Sequence, residues 1–197
     1  MKIYCATTNP GKLREFRLIV ERFAADRITV ETLPELKQIT PPEETGATFE
    51  ENAAIKAEYY SMFAAGPLFA DDSGLAVDSL NGAPGVHSAR FAGDAGDEAN
   101  NQLLLDRLAG VENRAARFVC VIALAEAGKT TGMWRGEVEG RIINERCGTG
   151  GFGYDPLFLH DGFGQTFGEI SAEKKLLVSH RGKALRAMIE AMLQRVS

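Results

Sequence analysis

The sequence predicts an α/β protein built on a long mixed β-sheet that is flanked by helices. Two observations support this fold class: strand-like apolar runs alternate with helical patterns early in the chain, and a long strand hairpin follows later. The chain has 197 residues, of which 45% are hydrophobic and 25% are charged. This composition is typical of a globular protein, and the length predicts a single domain over residues 1–197.

The beginning of the chain has a strand–helix–strand pattern. Residues 3–6 form a short apolar run, and Asn9 and Pro10 then suit the cap and the first position of a helix. Apolar residues recur at helical spacing to about residue 24. Residues 28–33 alternate between polar and apolar side chains, which predicts a second strand.

The next segment combines a loop, a helix and two short strands. Residues 41–46 are rich in proline and polar residues and predict a loop. Thr48 and Glu51 have the spacing of a capping box, so a helix should begin there and run to about residue 65. Short strands are predicted at 67–70 and 75–77, on the two sides of an acidic pair.

The later elements follow from the same hydrophobic patterns. In chain order they are a helix near 97–108, a buried strand at 118–127, a turn at 128–132, the second hairpin strand at 133–143, a strand at 156–159 and a terminal helix that Ser179 can cap. Strands thus occur both with helical connections and in a hairpin, which is why the sheet is expected to be mixed.

Charge and cysteine content limit the classes of partner. The net charge is −5 and the pI is near 5.3, so the surface as a whole does not attract nucleic acid. Three separated cysteines, Cys5, Cys120 and Cys147, have neither zinc-site nor disulfide-framework spacing. The chain also lacks a signal-peptide pattern and an apolar run of membrane-spanning length. We therefore expect a cytoplasmic protein with no membrane partner.

Cations occur at two predicted helix starts, where the helix dipole disfavours them. Lys12 lies in the first turn of the first helix, and His180 and Arg181 lie in the first turn of the last helix, shortly after Lys175. A solvated lysine or arginine would explain either case alone. The two cases together favour a shared pocket for an anion such as phosphate.

Lys56 shares a helix face with Asn52, because the two residues are four positions apart. Small apolar residues surround Lys56, so its ammonium group could face a site instead of bulk water. The capping box alone accounts for the presence of Glu51, without any role in a site.

A glycine loop at 148–153 matches the G-x-G-x-x-G pattern in form only. A dinucleotide site requires a helix after the loop, whereas a strand is predicted here. What remains is a flexible loop that carries Phe152 and Asp155. A planar base could stack on the Phe152 ring while the Asp155 carboxylate accepts a hydrogen bond from the N–H edge of the base. A tight turn with a core phenylalanine is the alternative interpretation.

Acidic residues suggest a site for a hard cation. Asp71 and Asp72 follow a predicted strand, and Glu43 and Glu44 lie in the loop before the Lys56 helix. In the absence of a Cys/His cluster, Mg²⁺ is the natural candidate because it binds carboxylates together with substrate phosphates. Solvated aspartates in a turn are the alternative.

Taken in order, these motifs resemble those of the inosine/xanthosine triphosphate pyrophosphatases, the Ham1-like enzymes that remove non-standard purine nucleotides. The matching segments are Thr8–Lys12, Phe49–Ala53, Ala70–Leu75, Gly150–Pro156 and Ser179–Gly182. The resemblance spans nearly the whole chain. One departure is Thr8, where the family commonly has glycine.

The resemblance implies hydrolysis of ITP, dITP and XTP to the monophosphate and pyrophosphate, with Mg²⁺ as cofactor. It also implies a homodimer and two lobes with an active-site cleft between them. Asp72 would be the proton acceptor and a metal ligand, and Glu43 would be the second metal-associated carboxylate. Residues at substrate-binding positions are Thr7, Thr8, Asn9, Pro10, Gly11, Lys12, Ser73, Phe152, Gly153, Tyr154, Asp155, Lys175, His180 and Arg181, and Asn52 and Lys56 are added to them from their shared helix face.

Two other functions are compatible with parts of the sequence. A non-catalytic purine nucleotide sensor would keep the lysines and the glycine loop with Phe152 and Asp155, called the aromatic loop below. It would not need the Asp71–Asp72 pair. A nucleic-acid-binding module conflicts with the acidic charge balance. Neither the order of preference among ITP, XTP and their deoxy forms nor the dimer surface follows from the sequence.

Overall fold

A computed structural model describes residues 1–24 and 26–195 of the chain. The strands are β1 Lys2–Cys5, β2 Thr29–Thr32, β3 Leu68–Val77, β4 Ala115–Glu126, β5 Lys129–Ile142, β6 Phe158–His160 and β7 Gln165–Thr166. The helices are α1 Pro10–Ala24, α2 Phe49–Ser61, α3 Gly96–Arg107, α4 Ala172–Val178 and α5 His180–Arg195. The first strand, the first helix and the terminal helix are thus confirmed.

The strands form a seven-stranded sheet in the order β2-β1-β3-β4-β5-β6-β7. Strand β1 pairs in parallel with both β2 and β3, whereas β6 pairs antiparallel with β5 and β7. The helical connections between the early strands produce the parallel part, and the later hairpins produce the antiparallel part. The predicted mixed α/β sheet is confirmed.

Strand β3 differs from its prediction. The two short strands expected at 67–70 and 75–77 are one continuous strand of ten residues, Leu68–Val77. The acidic pair interrupts the apolar pattern, but both carboxylates are buried and paired with cations, so the strand continues through them. Asp71 and Asp72 therefore lie within a strand and do not follow one.

The hairpin between β4 and β5 is tighter than predicted. The turn consists of Ala127 and Gly128, with φ of 48° and 79°, and not of residues 128–132. Positive φ at both central positions is typical of a type I′ turn, whose twist matches that of the flanking strands. Strand β5 therefore begins at Lys129.

Helix α2 begins with the predicted capping box. The Thr48 hydroxyl accepts a hydrogen bond from the Glu51 amide at 3.2 Å, and the Glu51 carboxylate accepts one from the Thr48 amide at 3.3 Å. The helix ends at Ser61, four residues before the predicted end. The predicted strand at 156–159 begins later, at Phe158, and the short elements β7 and α4 had no prediction.

Contacts divide the chain into two compact units. The first contains Met1–Asp72, Cys120–Gly136 and the chain from His180, and the second contains Ser73–Val119 and Glu137–Ser179. In the first unit, Tyr4, Leu33, Leu36, Tyr60 and Leu68 form an apolar cluster. A larger cluster in the second unit includes Leu75, Leu104, Phe118, Phe158 and Phe167.

No helix in the described ranges has the length and apolarity that a bilayer crossing requires.

Candidate active site

The acidic pair of β3 places two carboxylates on opposite faces of the sheet, because successive side chains alternate along a strand. Asp71 is 4% exposed and Asp72 is 7% exposed. Burial of a carboxylate is unfavourable unless a cation or a hydrogen-bond donor compensates it. The two residues receive this compensation from different partners.

Asp71 is held by cations from the starts of two helices. Its Oδ2 lies 2.8 Å from Lys12 Nζ in α1 and 3.9 Å from Arg181 Nε in α5. Burial alone would raise the pKa of Asp71, but Lys12, Arg181 and Lys56 outweigh that effect and lower it. Asp71 is therefore a fixed anion at neutral pH.

Glu15 completes this cluster and was missed from the sequence. Its carboxylate forms an ion pair with Arg181, and both side chains are buried. Burial opposes the charge of Arg181, but Glu15 and Asp71 raise its pKa above the ordinary value. The available signal was an acidic residue beside Phe16 and Ile19 on the apolar face of α1.

Asp72 faces a different environment. Its Oδ1 lies 2.6 Å from Lys56 Nζ, which also lies 3.2 Å from Glu44 Oε2. Its Oδ2 is buried and has no hydrogen-bond partner in the described part of the chain. Burial raises the pKa of Asp72, Lys56 only partly offsets that rise, and Asp71 and Glu44 add to it.

Neighbouring carboxylates in β3 thus have pKa values shifted in opposite directions. A pair of acids separated in this way is characteristic of an acid–base site, in which one group stays ionised while the other exchanges a proton. The pKa is lowered for Asp71, which is held by two cations, and raised for Asp72, which is buried beside a single one.

The loop before α2 is fixed by Asn52. The buried Asn52 side chain accepts a hydrogen bond from the Gly46 amide at 2.8 Å, and a Cβ on Gly46 would lie 2.6 Å from the same oxygen. This contact orders the loop that carries Glu44. Glu43 is exposed, and no ion pair or hydrogen bond of its side chain occurs within the described residues.

The first motif caps α1. Asn9 Oδ1 accepts hydrogen bonds from the amides of Gly11 and Lys12 at 2.9 and 3.1 Å, and Thr7 Oγ1 accepts one from the Asn9 amide at 3.2 Å. The predicted cap at Asn9 is confirmed. Pro10 is the first residue of the helix. Thr8 is exposed and makes no side-chain hydrogen bond within the described residues.

The two helix starts do come together, but around an anion of the protein itself. Helices α1 and α5 pack against each other, and Lys12 and Arg181 share Asp71. This ion pairing explains why cations are tolerated at two helix starts, where the helix dipole disfavours them. His180 lies in the same first turn of α5 and is 1% exposed.

The second unit holds the aromatic loop and a buried ion pair. Lys175 Nζ lies 2.6 Å from Asp155 Oδ2 and 4.9 Å from the centre of the Phe152 ring. The same Asp155 oxygen accepts a hydrogen bond from the Phe152 amide at 2.9 Å. Asp155 thus fixes the turn and the lysine at once, whereas Phe152 keeps a half-buried ring.

Tyr154 is a core residue of this loop. It is 4% exposed, and its hydroxyl donates to the Ser88 carbonyl at 2.9 Å. Ser88 Oγ in turn accepts a hydrogen bond from the Leu75 amide in β3 at 2.8 Å. Ser73, half-buried, lies two residues before that amide. Ser88 was missed because only the folded chain brings these segments together.

The acidic cluster of the first unit offers a donor atom to a divalent cation. No group of three His, Cys, Asp or Glu side chains forms a ready-made metal site among residues 1–24 and 26–195. Asp72 nevertheless has one buried carboxylate oxygen without a partner, which is the type of donor that Mg²⁺ prefers. The residues present therefore fit a cation that takes most of its ligands from phosphate and water.

Comparison with known proteins identifies the family. The sequence model of the Ham1 family matches residues 3–191. The chain belongs to the Ham1 family. This confirms the resemblance that the spaced motifs indicated.

Individual Ham1 relatives are similar over almost their full lengths. The chain is 51% identical to a dITP/XTP pyrophosphatase of Listeria innocua over 190 residues, which cover 95% of this chain and 92% of the relative. The solved Ham1 protein of Staphylococcus aureus is 38% identical, with a TM-score of 0.86 over 100% of both chains. A Ham1 protein from Coxiella burnetii is 36% identical, with a TM-score of 0.87 over 98% of this chain and 99% of the other.

Proposed function

We propose that this Ham1 protein hydrolyses the non-standard purine nucleotides ITP, dITP and XTP to the nucleoside monophosphate and pyrophosphate. Its relative from Listeria innocua is named a dITP/XTP pyrophosphatase, at 51% identity. The observation in this chain that carries the proposal is the pair of buried carboxylates in β3: Asp71 is held by Lys12 and Arg181, whereas Asp72 lies beside Lys56 with a buried Oδ2 that has no hydrogen-bond partner among the described residues.

Asp72 acts as the general base. A water molecule attacks the α-phosphorus, its proton passes to the Asp72 carboxylate, and the bond to the bridging oxygen breaks to release pyrophosphate. A base works best when its pKa lies close to the working pH, and burial raises the pKa of Asp72 in that direction. Lys56, 2.6 Å from Oδ1, holds the carboxylate in place and limits the rise.

Cations of the first unit stabilise the triphosphate. Lys12, Lys56 and Arg181 are buried or partly buried, and the carboxylates beside them fix their positions before phosphate oxygens approach. Fixed charges in a site that excludes water interact more strongly than the same charges in solvent. Asp71 and Glu15 offset the repulsion between Lys12 and Arg181 in the free protein.

The aromatic loop of the second unit recognises the base. The ring of Phe152 offers a stacking surface, Asp155 holds the backbone beside it, and Lys175 pairs with Asp155. Polar groups that pair with a 6-oxo purine edge would be left unpaired by adenine, which carries a 6-amino group. Such a loss of hydrogen bonds rejects the standard adenine nucleotides.

We also propose Mg²⁺ as the cofactor, with Asp72 and Glu43 as the carboxylates that would hold it. Bound Mg²⁺ would supply neutralisation of phosphate charge and a more acidic water. Glu44 is the neighbouring acid already engaged by Lys56, which leaves Glu43 available in the same loop. Metal-free protein is expected to lose hydrolysis and to regain it when Mg²⁺ is added, as measured by pyrophosphate release.

A homodimer and a cytoplasmic location complete the proposal. The family resemblance supports the dimer, and light scattering should give a mass about twice the 21.3 kDa of one chain. All three cysteines are free thiols, which suits a reducing compartment. Burial raises the pKa of Cys5 to about 11 and also raises that of Cys120, so both thiols stay protonated and unreactive.

Product identification tests the activity directly. The protein would be incubated with Mg²⁺ and ITP, dITP, XTP, ATP or GTP, and the products separated by ion-exchange chromatography. Equal amounts of monophosphate and pyrophosphate from ITP, dITP and XTP are expected. Release of orthophosphate without pyrophosphate, which leaves the nucleoside diphosphate, would contradict the reaction. Tight binding of ITP without hydrolysis would instead establish a nucleotide sensor.

A further inference from the structure

Side chains of helix α3 hold the aromatic loop through the backbone amide and the backbone carbonyl of Gly153. The Gly153 amide donates to Asp97 Oδ2 at 2.8 Å, and the Gly153 carbonyl accepts from Asn101 Nδ2 at 3.0 Å. Asp97 and Asn101 are four residues apart, so they lie on the same face of α3. Two hydrogen bonds from one helix face fix both the position and the orientation of that peptide segment.

Gly153 needs this support because of its conformation. Its φ is +61°, in the left-handed region that gives the loop its sharp turn. Glycine also has the largest conformational freedom to lose, so an unsupported loop would sample many positions. The neighbouring Phe152 amide is fixed separately by Asp155. Asp97 and Asn101 therefore complete the fixation of the backbone on the C-terminal side of the Phe152 ring.

The side chains that contact Gly153 differ in burial, so replacing the exposed one can test loop positioning without disturbing the folded core. Asn101 is 4% exposed, and its Oδ1 has no hydrogen-bond partner among the described residues. Asp97 is exposed in the first turn of α3, and its contact with the glycine loop links residues 56 positions apart in sequence. An exposed carboxylate can be replaced without opening a cavity.

We propose that Asp97 and Asn101 are positioning residues that set base recognition by holding the Phe152–Gly153 segment for the purine ring. The inference rests on the proposed hydrolysis of non-standard purine nucleotides. If the loop is loosened, Phe152 must be ordered each time a base stacks on it, and this ordering reduces the free energy of nucleotide binding. That cost enters binding of nucleotides, whereas binding of a polyphosphate without a base does not involve it.

The test compares Asp97→Ala with Glu98→Ala. Both changes remove an acid from the first turn of α3, but the Glu98 side chain pairs with Arg146, and no hydrogen bond joins it to Gly153 within the described residues. For dITP, Asp97→Ala should raise KM roughly tenfold with kcat nearly unchanged, as expected when binding energy is lost equally in substrate and transition state. Glu98→Ala should leave both values as in the wild type.

Two further measurements distinguish positioning from general damage. Inhibition by inorganic tripolyphosphate, which has no base, should be equal in wild type and Asp97→Ala. Asp97→Asn retains an acceptor oxygen and should restore most of the lost affinity. Asn101→Asp replaces the amide donor by an oxygen facing the Gly153 carbonyl and should raise the KM for dITP above that of Asp97→Ala. Thermal unfolding checks that this variant is folded.

The outcomes separate this inference from the proposed function. If wild type fails to hydrolyse dITP and XTP, the proposed function is wrong. If wild type is active and Asp97→Ala matches Glu98→Ala in KM, the positioning role is wrong while the function stands. Equal weakening of dITP and tripolyphosphate binding by Asp97→Ala would also overturn it.

Discussion

The two faces of β3 carry the same side chain in opposite electrostatic settings. On one face, Asp71 is held by Lys12 and Arg181, and its pKa is lowered. On the other face, Asp72 has one paired oxygen and one buried oxygen that no described residue contacts by a hydrogen bond, and its pKa is raised. Adjacent identical residues can therefore have oppositely shifted pKa values, since the strand directs them to different neighbours.

Replacing Asp72 by Asn should have the largest effect on activity. The substitution keeps the shape but removes the proton acceptor, and loss of a general base typically reduces turnover by about 10²–10⁴-fold. Nucleotide affinity should change much less. Initial rates with dITP and equilibrium binding of the same nucleotide measure the two effects. Turnover within a few-fold of wild type would remove Asp72 from its role.

Replacing Asp71 by Asn should have the largest effect on stability. Lys12 and Arg181 lose their shared buried anion, which costs about 3 kcal/mol in comparable buried pairs. The folded pKa of Asp71 is lowered, so its contribution is present above the unfolded pKa of about 3.9 and is lost as the pH falls through the folded value. The difference in unfolding free energy between wild type and Asp71→Asn, measured with urea, should be smaller below pH 4 than at pH 7.

Asp78→Asn is the matched control for that measurement. Asp78 is exposed and pairs with Arg117 at 2.9 Å, a surface ion pair expected to contribute about 0.5 kcal/mol. If Asp71→Asn costs no more than Asp78→Asn at pH 7, Asp71 is not the structural anion of the pair.

Replacing Lys56 by Gln should move the pH profile. Lys56 lowers the pKa of Asp72 against the effect of burial, so its removal should raise that pKa further. The acid limb of kcat/KM, which reports the base of the free enzyme, should shift to higher pH. An unchanged or downward-shifted limb would contradict the coupling of these two groups.

Substitution of Gly46 should have the smallest effect of the four. A Cβ at Gly46 would lie 2.6 Å from Asn52 Oδ1 and from Glu51 Cβ, so Gly46→Ala must displace the loop that carries Glu44. A loss of about 1–2 kcal/mol in unfolding free energy is expected. Gly66→Ala is the control, because a Cβ there would have no atom of the neighbouring described residues within 4 Å. Equal stability of the two variants would show that the loop is not fixed by packing.

Local patterns predicted much of the fold. The capping box at Thr48, the cap at Asn9 and the terminal helix from His180 all follow from rules that act over one helical turn. The continuity of β3 could not be predicted in this way. Its acidic interruption is compensated by Lys12 and Lys56, which approach from distant parts of the sequence.

The candidate site was predicted unevenly for the same reason. Lys12, Lys56 and Arg181 were found because cations in unusual positions can be recognised locally. Glu15 and Asn101 were missed, since their partners lie 166 and 52 residues away in the chain. The predicted roles of Thr8 and Glu43, both exposed, stay predictions.

The most direct test of the division between the two aspartates is a site-resolved titration of their carboxyl carbons by NMR. Spectra of wild type would be assigned with Asp71→Asn and Asp72→Asn and followed from pH 2 to pH 8. The Asp72 carboxyl should titrate above the ordinary value of about 3.9 and the Asp71 carboxyl below it. Asp72 titrating at or below the pKa of Asp71 would contradict the assignment of Asp72 as the base.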